Sequence, residues 1–401
     1  MRKDLLILLN SPTDESVSGG DRRIIKLSPI FVKNGYRVLI VTPTFYANFL
    51  ERNFKLTKQG VEFIRVPGKK ARSLLAIIFE YYRRSFFTSN RILRDSKTLK
   101  SPIVIYSSST FPPDLNTALS LKKKLSAHSK VTLITGMHLL APPFYKGYKY
   151  AFHDSPKFHL PSLREILYAI YDWITVHKKL NLVDLVFVSN SEDKYRLMSK
   201  NVAQNKILVT PGAVDPMDIP KVKHRKKIYD GVFIGRFHQQ KGMIDLIKIW
   251  QNVVIAIPNA KLAVIGGGSA EMLSRLKKEI KSRKLNKNID LLGFLDNEKK
   301  YLIIKRSRVL LFTSYYESFG MVALEAMVCG VPVVAYNLPP YREFFTQGMV
   351  RVNLGDTTQF SKLVLCLLRD HEYYLSLSKD AHKHSMNYSW DRLFDSIHSH
   401  V

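Results

Sequence analysis

Short apolar runs recur along the whole chain, and amphipathic segments of helical length separate many of them. Most runs are β-branched and apolar at both odd and even positions, as expected for strands buried on both faces of a parallel sheet. In the first half the pattern predicts strands at Leu5–Leu9, Val38–Val41, Val61–Val66, Ile103–Tyr106, Val131–Ile134, Leu185–Val188 and Ile207–Val209. In the second half it predicts strands at Val232–Ile234, Leu262–Ile265, Ile289–Leu292, Val309–Phe312 and Val331–Ala335.

The alternation of strand and helix predicts an α/β fold built from doubly wound parallel sheets. A chain of 401 residues suits two such domains rather than one. Proline, glycine and solvated charge meet near residues 212–228, where Gly212 is followed by Pro216, Pro220 and the basic run Lys221–Lys227. This composition is typical of a linker, so we expect one domain at residues 1–215 and a second at residues 216–385.

Charge is the strongest departure of this chain from average composition. Lys and Arg number 62 against 33 Asp and Glu, which gives a formal net charge of +29. Such a balance favours an anionic partner, which could be nucleic acid, an acidic membrane surface or a phosphorylated small molecule. Basic residues spread over the surface for solubility would give the same composition. The chain shows no helix-turn-helix and no zinc motif, which argues against nucleic-acid binding.

The ends of the chain and its cysteines bear on its location. Cys329 and Cys366 are the only cysteines, and their spacing suits neither a metal site nor a disulfide framework, which fits a reducing compartment. The apolar run Leu5–Leu9 is too short for a signal-peptide core. No stretch approaches the roughly 18 apolar residues of a membrane span. We therefore expect a cytoplasmic protein, or one peripheral on the inner face of the cell membrane.

The segment from Glu317 to Ala326 carries the most chemical information. It follows the predicted strand Val309–Phe312 and opens a helix, and Gly320 permits a tight turn at the start of that helix. The N–H groups there, together with the helix dipole, form a natural anion site. Carboxylates do not bind phosphate, so Glu317 and Glu325 suit the hydroxyl groups of a sugar and a ribose. A helix with ordinary N-terminal acids is the alternative.

Two further turns follow strands in the second half. Arg236 and Lys241 come just after Val232–Ile234, where ligands of open α/β sheets bind, and both could hold phosphate oxygens. A surface loop with two cations would have the same sequence. The run Gly266–Gly268 would let backbone approach a nucleotide closely. It lacks the full dinucleotide fingerprint, which argues against an NAD enzyme. No Asp-x-Asp pair follows a strand, so we expect neither a metal nor another cofactor.

Taken in order, these motifs resemble those of the retaining GT-B glycosyltransferases of family 4. The specific element is the Glu-x7-Glu spacing of Glu317 and Glu325. Supporting elements of the second half are Arg236, Lys241-Gly242, Gly266–Gly268, Gly293-Phe294-Leu295 and Gly330-x-Pro332-Val333-Val334. Those of the first half are Ser18-Gly19-Gly20-x2-Arg23, Ser189–Ser191 and Pro211–Asp215. Residues 45–130 match nothing specific.

The resemblance implies a fold and a reaction. The fold would be two Rossmann-like domains facing a central cleft, with a C-terminal helix at residues 386–401 packed back on the first domain. The first domain would bind the acceptor and the second a nucleotide-diphosphate sugar, from which a hexose would be transferred with retention and without a metal. The leaving phosphate would take the proton of the acceptor hydroxyl, so catalysis would depend on positioning and on charge stabilisation.

The resemblance also implies a role for each matching residue. Arg236 and Lys241 would bind the donor diphosphate, Glu317 would hydrogen-bond the donor sugar, and Glu325 would hold the ribose. The remaining donor-binding positions would be Gly19, Gly20, Gly267, Phe294, Leu295, Phe319, Gly320, Met321 and Val322. His138, after the strand Val131–Ile134, would line the acceptor side. The family often places an Asp directly after this His, whereas Leu139 follows here, so a structural His138 and the pair His153-Asp154 remain alternatives.

Residues 69–94 allow two interpretations. Leu74, Leu75, Ile78, Phe79, Tyr82 and Phe86 recur at helical spacing, with arginines between them. The segment could be a helix on an anionic membrane, or a helix that packs its apolar stripe on the sheet with arginines in water. A membrane helix would fit a lipid-linked acceptor such as a polyprenyl-phosphate-linked glycan. A nucleotide-sugar epimerase of related fold, a basic nucleic-acid-binding protein and a non-catalytic scaffold remain the other functional hypotheses.

Overall fold

The structure is a computed structural model that describes residues 3–71, 73–95, 99, 102–138, 140, 170–220 and 226–401. The described residues form two compact units. The first unit contains the chain up to residue 140, residues 170–211 and Trp390–Val401. The second unit contains Gly212–Ser389.

Two parallel sheets form the centres of the units, which confirms the predicted α/β class. The strands of the first unit are β1 Asp4–Leu8, β2 Arg37–Pro43, β3 Glu62–Val66, β4 Ile103–Ser107, β5 Val131–Met137, β6 Leu185–Val188 and β7 Ile207–Val209. Those of the second are β8 Tyr229–Ile234, β9 Leu262–Ile265, β10 Ile289–Gly293, β11 Ser307–Phe312, β12 Val333–Tyr336 and β13 Met349–Val352. The central strands are buried on both faces, which is why their residues are apolar at odd and even positions alike.

The helices follow the strands in alternation. Those of the chain up to residue 220 are α1 Gly19–Lys33, α2 Thr44–Phe54, α3 Leu74–Asp95, α4 Pro112–Leu125 and α5 Ser191–Met198. Those that follow are α6 Met243–Ala256, α7 Ala270–Ser282, α8 Asn297–Lys305, α9 Met321–Val328, α10 Pro339–Phe344, α11 Thr357–Arg369, α12 His371–Ser385 and α13 Trp390–His398. Helix α13 belongs to the first unit, where Phe394 packs edge-on against Phe31 of α1 with ring centroids 4.9 Å apart.

The strand β13 is the one strand of the second sheet that the apolar pattern does not predict. It lies at the edge of the sheet beside β12, it has only four residues, and its two central residues are only partly buried. Arg351 in its centre donates to the carbonyl of Phe345 at 2.6 Å and to that of Tyr341 at 3.2 Å. An edge strand needs apolar residues on fewer positions, so its sequence carries a weaker signal.

Strand order determines where each sheet can bind a ligand. The first sheet runs β3-β2-β1-β4-β5-β6-β7, and the second runs β10-β9-β8-β11-β12-β13. In each, the connections leave in opposite directions from one pair of central strands, β1 with β4 and β8 with β11. Ligands of open α/β sheets bind outside the carboxyl ends of strands at such a switch point. The loops after these four strands are therefore where functional side chains are expected.

Helix α3 corrects one interpretation of residues 69–94. Leu75, Phe79, Tyr82 and Phe86 are exposed, while Arg84 is buried with its guanidinium bonded to Glu80 and to backbone carbonyls. The interpretation that places the apolar stripe on the sheet and the arginines in water is therefore wrong for these residues. No helix among the described residues is both long and apolar enough to cross a membrane.

Candidate functional site

The loops after β8 and β11 are joined by a dense set of hydrogen bonds. The side chain of Gln240 donates to the carbonyl of Tyr316 at 2.8 Å, and the hydroxyl of Thr313 donates to the carbonyl of Lys241 at 2.8 Å. Gly242 allows this approach, because it has a φ of +61° and a Cβ there would lie 2.1 Å from the carbonyl oxygen of Thr313. The two loops therefore form one rigid platform at the switch point of the second sheet.

Lys241 and Glu317 meet on this platform. The ammonium of Lys241 forms an ion pair with Oε1 of Glu317, and the hydroxyl of Ser314 donates to the same oxygen at 2.9 Å. Both side chains are mostly buried, at 17% and 14% exposure. The structure thus brings together a cation and a carboxylate that are 76 residues apart in the sequence. Such a pair can present a positive charge to a phosphate and a carboxylate oxygen to a hydroxyl.

Arg236 stands out as the exposed cation of the loop after β8. The backbone beside it is fixed, because the N–H of Phe237 donates to the carbonyl of Gly267 at 2.7 Å. The side chain of Phe237 is buried in the core of the second unit, which leaves Arg236 on the outside of the turn. Among the described residues, the guanidinium of Arg236 has no hydrogen-bonding or ionic partner. It is available to an anionic ligand.

Helix α9 begins at a glycine that any other residue would replace only with strain. Gly320 has a φ of +105°, and a Cβ there would meet the rings of Tyr341 and Phe312 at 3.1 and 3.2 Å. The first N–H groups of the helix, those of Met321 and Val322, have no carbonyl of an earlier helical turn to bond and can bind an anion. The Phe319 side chain is buried against aromatic rings, so only its backbone is available to a ligand.

Glu325 occupies a more enclosed position than its sequence suggests. It is the fifth residue of α9, and only 2% of its surface is exposed. One of its oxygens accepts a hydrogen bond from the ammonium of Lys300 of α8 at 2.9 Å. Lys300 was not predicted as a site residue, since nothing in the sequence links α8 to α9. The buried pair fixes the Glu325 carboxylate in place.

The glycines of the run after β9 are in two different environments. A Cβ at Gly266 would lie 1.8 Å from the carbonyl oxygen of Gly235, and one at Gly268 would lie 2.5 Å from that of Phe237. These two glycines are therefore required by the close approach of the loop after β8. This corrects the expectation that the whole run lets backbone approach a nucleotide. A Cβ at Gly267 would meet no atom within 4 Å, so this position alone faces open space.

The loop after β10 ends in an exposed aromatic side chain. Phe294 is 90% exposed, and Leu295 beside it is half-buried. Gly293 before them has a φ of +69°, which turns the chain away from the sheet. An aromatic face that no described residue covers is suited to stack on a planar ring.

A second group of predicted residues lies in the first unit, at the start of α1. Ser18 caps this helix through a capping box with Asp21, and Gly19 and Gly20 form its first turn. A Cβ at Gly20 would lie 3.7 Å from the ring of His138, while one at Gly19 would meet nothing within 4 Å. The structure therefore brings Gly20 and His138 together across the first sheet's strand ends.

The His138 side chain is partly buried, and it lies near the positive charge of Arg23. Nε2 lies 3.2 Å from the hydroxyl of Tyr106, and Nδ1 is buried without a partner among the described residues. Burial and the charge of Arg23 hold the pKa of His138 well below its usual value of 6.5, so the ring is neutral at pH 7. Arg23 itself is buried and donates to the carbonyls of Thr210 and Pro211 at 2.7 and 3.0 Å. A neutral imidazole can exchange a hydrogen bond with a hydroxyl group.

Two further predictions concern alternatives and metals. The pair His153-Asp154 lies outside the described residues, as do Lys221–Arg225 of the expected linker. Within the described part of the chain, no group of three or more His, Cys, Asp or Glu side chains is arranged to hold a metal ion. Metal independence stays a prediction.

Comparison with known proteins gives the second unit a family. The model for the family described as glycosyl transferases group 1 matches residues 214–384. A poly(glycerol-phosphate) alpha-glucosyltransferase from Bacillus subtilis is 29% identical over 220 residues, which are 53% of this chain and 32% of that protein. A phosphatidyl-myo-inositol mannosyltransferase from Mycobacterium leprae is 29% identical over 173 residues, 41% of this chain and 44% of that protein. The chain spans half or less of the length of these relatives.

Solved structures show the same architecture over the whole chain. The structure of Anabaena HepE in complex with UDP and glucose matches with a TM-score of 0.71 and 14% identity, covering 98% of each chain. At this identity the match shows the fold, which is GT-B with two Rossmann-like units. The part of the chain at residues 214–384 is a glycosyltransferase group 1 domain, and it contains every second-unit residue of the candidate site.

Proposed function

We propose that this chain is a retaining glycosyltransferase of family 4 that transfers a hexose from a nucleotide-diphosphate sugar to an acceptor hydroxyl. The observation that carries the proposal is the platform of the second unit. It places the exposed Arg236, the Lys241–Glu317 pair and the N-terminus of α9 at the switch point of a group 1 domain. Two cations and a helix N-terminus suit a diphosphate, and the carboxylate between them suits a sugar hydroxyl.

In the proposed reaction, the bond between C1 of the sugar and the diphosphate oxygen breaks while a bond from C1 to the acceptor oxygen forms on the same face. The acceptor proton passes to the departing phosphate. Arg236 and Lys241 stabilise the negative charge that grows on the diphosphate. Glu317 orients the sugar through its hydroxyls, and the ion pair with Lys241 holds the Glu317 carboxylate in position. Protein groups position the reactants, and none needs to attack the sugar.

The nucleoside part of the donor is assigned to the neighbouring strand ends. Glu325, fixed by Lys300, binds the ribose hydroxyls. Phe294 stacks on the base with Leu295 beside it, Gly267 leaves room for the backbone to approach the nucleotide, and the backbone of residues 319–322 contacts the phosphates. UDP is the first nucleotide to test, because the similar HepE structure was solved with UDP.

Acceptor binding is assigned to the first unit, where the neutral His138 lies beside Gly20, and the backbone at Gly19 and Gly20 approaches both the donor and the acceptor. We propose a lipid-linked glycan or polysaccharide precursor as acceptor, met at the inner face of the cell membrane. The net charge of +29 favours an anionic, membrane-bound substrate. The mycobacterial relative is named for a phosphatidylinositol acceptor, which adds support from its name alone.

A transfer assay tests this proposal. The chain is incubated with UDP-, GDP-, ADP- and TDP-hexoses and with polyprenyl-phosphate-linked sugars, with and without EDTA. The expected result is one donor consumed, a product in which the anomeric configuration of the donor is kept, and no loss of rate with EDTA. A donor converted to its epimer without an acceptor would support the nucleotide-sugar epimerase instead. An inverted product or a strict metal requirement would contradict the proposal.

A further inference from the structure

Helix α3 presents an apolar face to solvent, which is unusual for a helix that packs on a sheet. Leu75, Phe79, Tyr82 and Phe86 follow each other at steps of four, three and four residues, so they form one stripe. Their exposures are 80%, 69%, 66% and 67%. Phe87, exposed by 54%, packs edge-on against Phe86 at 5.6 Å and widens the stripe. We call these five side chains the aromatic face.

The opposite side of α3 accounts for the packing of the helix. Arg84 is 1% exposed and donates to Glu80 and to the carbonyls of Asn10, Pro12 and Lys69. Thr88 accepts from the side chain of Asn10 at 2.9 Å, and Tyr81 packs on Phe111 before α4. The buried side of the helix therefore carries polar groups as well as Ile92, which is 1% exposed. The aromatic face is not needed to hold α3 on the first unit.

The charges around the aromatic face are mostly positive. Residues 69–94 contain Lys69, Lys70, Arg72, Arg83, Arg84, Arg91 and Arg94 against Glu80 as the one acid. Glu80 is buried and bonded to Arg83 and Arg84, so it offers no negative charge to the surface. Lys69 and Arg91 are exposed, and Lys70 is exposed although it pairs with Glu15 at 3.2 Å. A partner for this surface must accept large apolar side chains and carry negative charge.

We infer that the aromatic face and its cations bind the surface of an anionic lipid bilayer. Phe and Leu side chains enter the boundary between headgroups and acyl chains, and Tyr stays at headgroup level. The cations pair with lipid phosphates outside that boundary. This inference deepens the proposed function, because it names the surface that would bring the first unit to a lipid-linked acceptor. It needs no donor, so it can fail or hold independently of the transfer reaction.

Vesicle binding tests the inference directly. The full chain is sedimented with vesicles of phosphatidylglycerol and phosphatidylcholine, and with vesicles of phosphatidylcholine alone. We expect binding to the anionic vesicles that weakens at least tenfold in 0.5 M salt, and little binding to the neutral ones. The variant Phe79→Ser/Phe86→Ser should bind at least tenfold more weakly, and Lys69→Glu/Arg91→Glu should lose the preference for anionic lipid. Ile255→Ser/Leu375→Ser is the matched control, since both residues are exposed on the second unit, and it should bind like the wild type.

Other occupants of the aromatic face would give different results. A second copy of the chain would appear as a dimer in light scattering that Phe79→Ser/Phe86→Ser converts to a monomer. Packing by residues 141–169, which lie outside the described residues, would appear as a lower unfolding temperature of the same variant. Either result without vesicle binding overturns the inference. UDP binding, measured on each variant, should be unchanged, which separates loss of docking from loss of the donor site.

Discussion

The two sheets have the same strand order around their switch points, yet their strand ends carry different chemistry. After β8 and β11 the side chains are charged, with Arg236 exposed and Lys241 paired to Glu317 in a mostly buried ion pair. After β1 and β4 a central pair of polar groups is sealed inside the unit. Asn10 and Asp114 are fully buried, and the N–H of Asn10 donates to Asp114 at 2.6 Å.

This difference changes what the same topology does. Burial raises the pKa of Asp114 to about 6, and the hydroxyls of Ser108 and Ser109 and the Asn10 N–H occupy its oxygens. That network fixes the first strands of the first unit but offers no charge to a ligand. In the second unit the equivalent place presents two cations and a helix N-terminus. Topology therefore locates the edge where a site can form, and the side chains at that edge decide whether it suits an anionic ligand.

The largest expected effect concerns the buried pair beneath the platform. Lys300→Met leaves the carboxylate of Glu325 buried without its cation, which should lower the free energy of unfolding by about 3–5 kcal/mol. Urea titration measures it, and Lys300→Met/Glu325→Met should recover most of the loss. Lys299→Met is the control, because Lys299 is exposed and pairs with Asp296 at the surface. A Lys300→Met variant as stable as Lys299→Met would show that the pair does not position Glu325.

The next effect tests the charged platform. Lys241→Ala removes a cation from the departing diphosphate and should raise the barrier by about 3 kcal/mol, a loss of roughly a hundredfold in kcat. Steady-state kinetics with saturating donor measure it. Lys277→Ala, an exposed lysine on α7 of the same unit, should turn over like the wild type. A Lys241→Ala variant with the kcat of the wild type would show that the platform takes no part in the mechanism.

The glycines of the turn after β9 separate folding from binding. Gly266→Ala should destabilise the second unit by about 1–3 kcal/mol or more, because φ is +139° and its Cβ would meet a carbonyl oxygen. Gly267→Ala should change stability by about 0.5 kcal/mol or less, yet weaken donor binding severalfold. Thermal unfolding and calorimetry measure the two effects. Unchanged donor affinity in Gly267→Ala would place the nucleotide elsewhere.

The smallest effect lies in the first unit, at His138. In the unfolded chain this ring gains a proton as the pH falls through 6.5, but in the folded protein it gains one only at lower pH. Below pH 6.5 the unfolded state therefore binds more protons than the folded state. The free energy of unfolding then decreases as the pH is lowered, by at most about 1.4 kcal/mol per pH unit. His138→Asn should lose this dependence, and His128→Asn, at an exposed position, should keep it. Parallel slopes for all three proteins would show that His138 titrates normally.

Sequence patterns predicted the elements well where burial is two-sided. Every predicted strand is present, and runs such as Val38–Val41 and Leu262–Ile265 are buried on both faces. The edge strand β3 was predicted as well, although only Val66 of its residues is buried. The edge strand β13 was missed, since Arg351 and a half-exposed face break the run. The sequence also placed Glu317 after β11 and Glu325 inside α9, because glycine and strand ends mark the turn.

Contacts between distant elements lay beyond the sequence. Nothing in α8 indicates that Lys300 reaches Glu325, and the role of Gly266 depends on the neighbouring loop at Gly235. The stripe on α3 has the same spacing whether it faces a sheet or water, so only the structure could show the buried Arg84. Such features depend on which surfaces meet in three dimensions, and local spacing does not encode that.

The most direct test of the donor site is calorimetric binding of UDP, GDP, ADP and TDP to the wild type, to Arg236→Ala and to Lys277→Ala. Arg236 is exposed and has no partner among the described residues, so its removal should leave the fold intact. The account predicts that one nucleotide binds selectively, that Arg236→Ala weakens its binding at least tenfold, and that Lys277→Ala does not. A folded wild type that binds none of the four, or an Arg236→Ala variant with unchanged affinity, would contradict it.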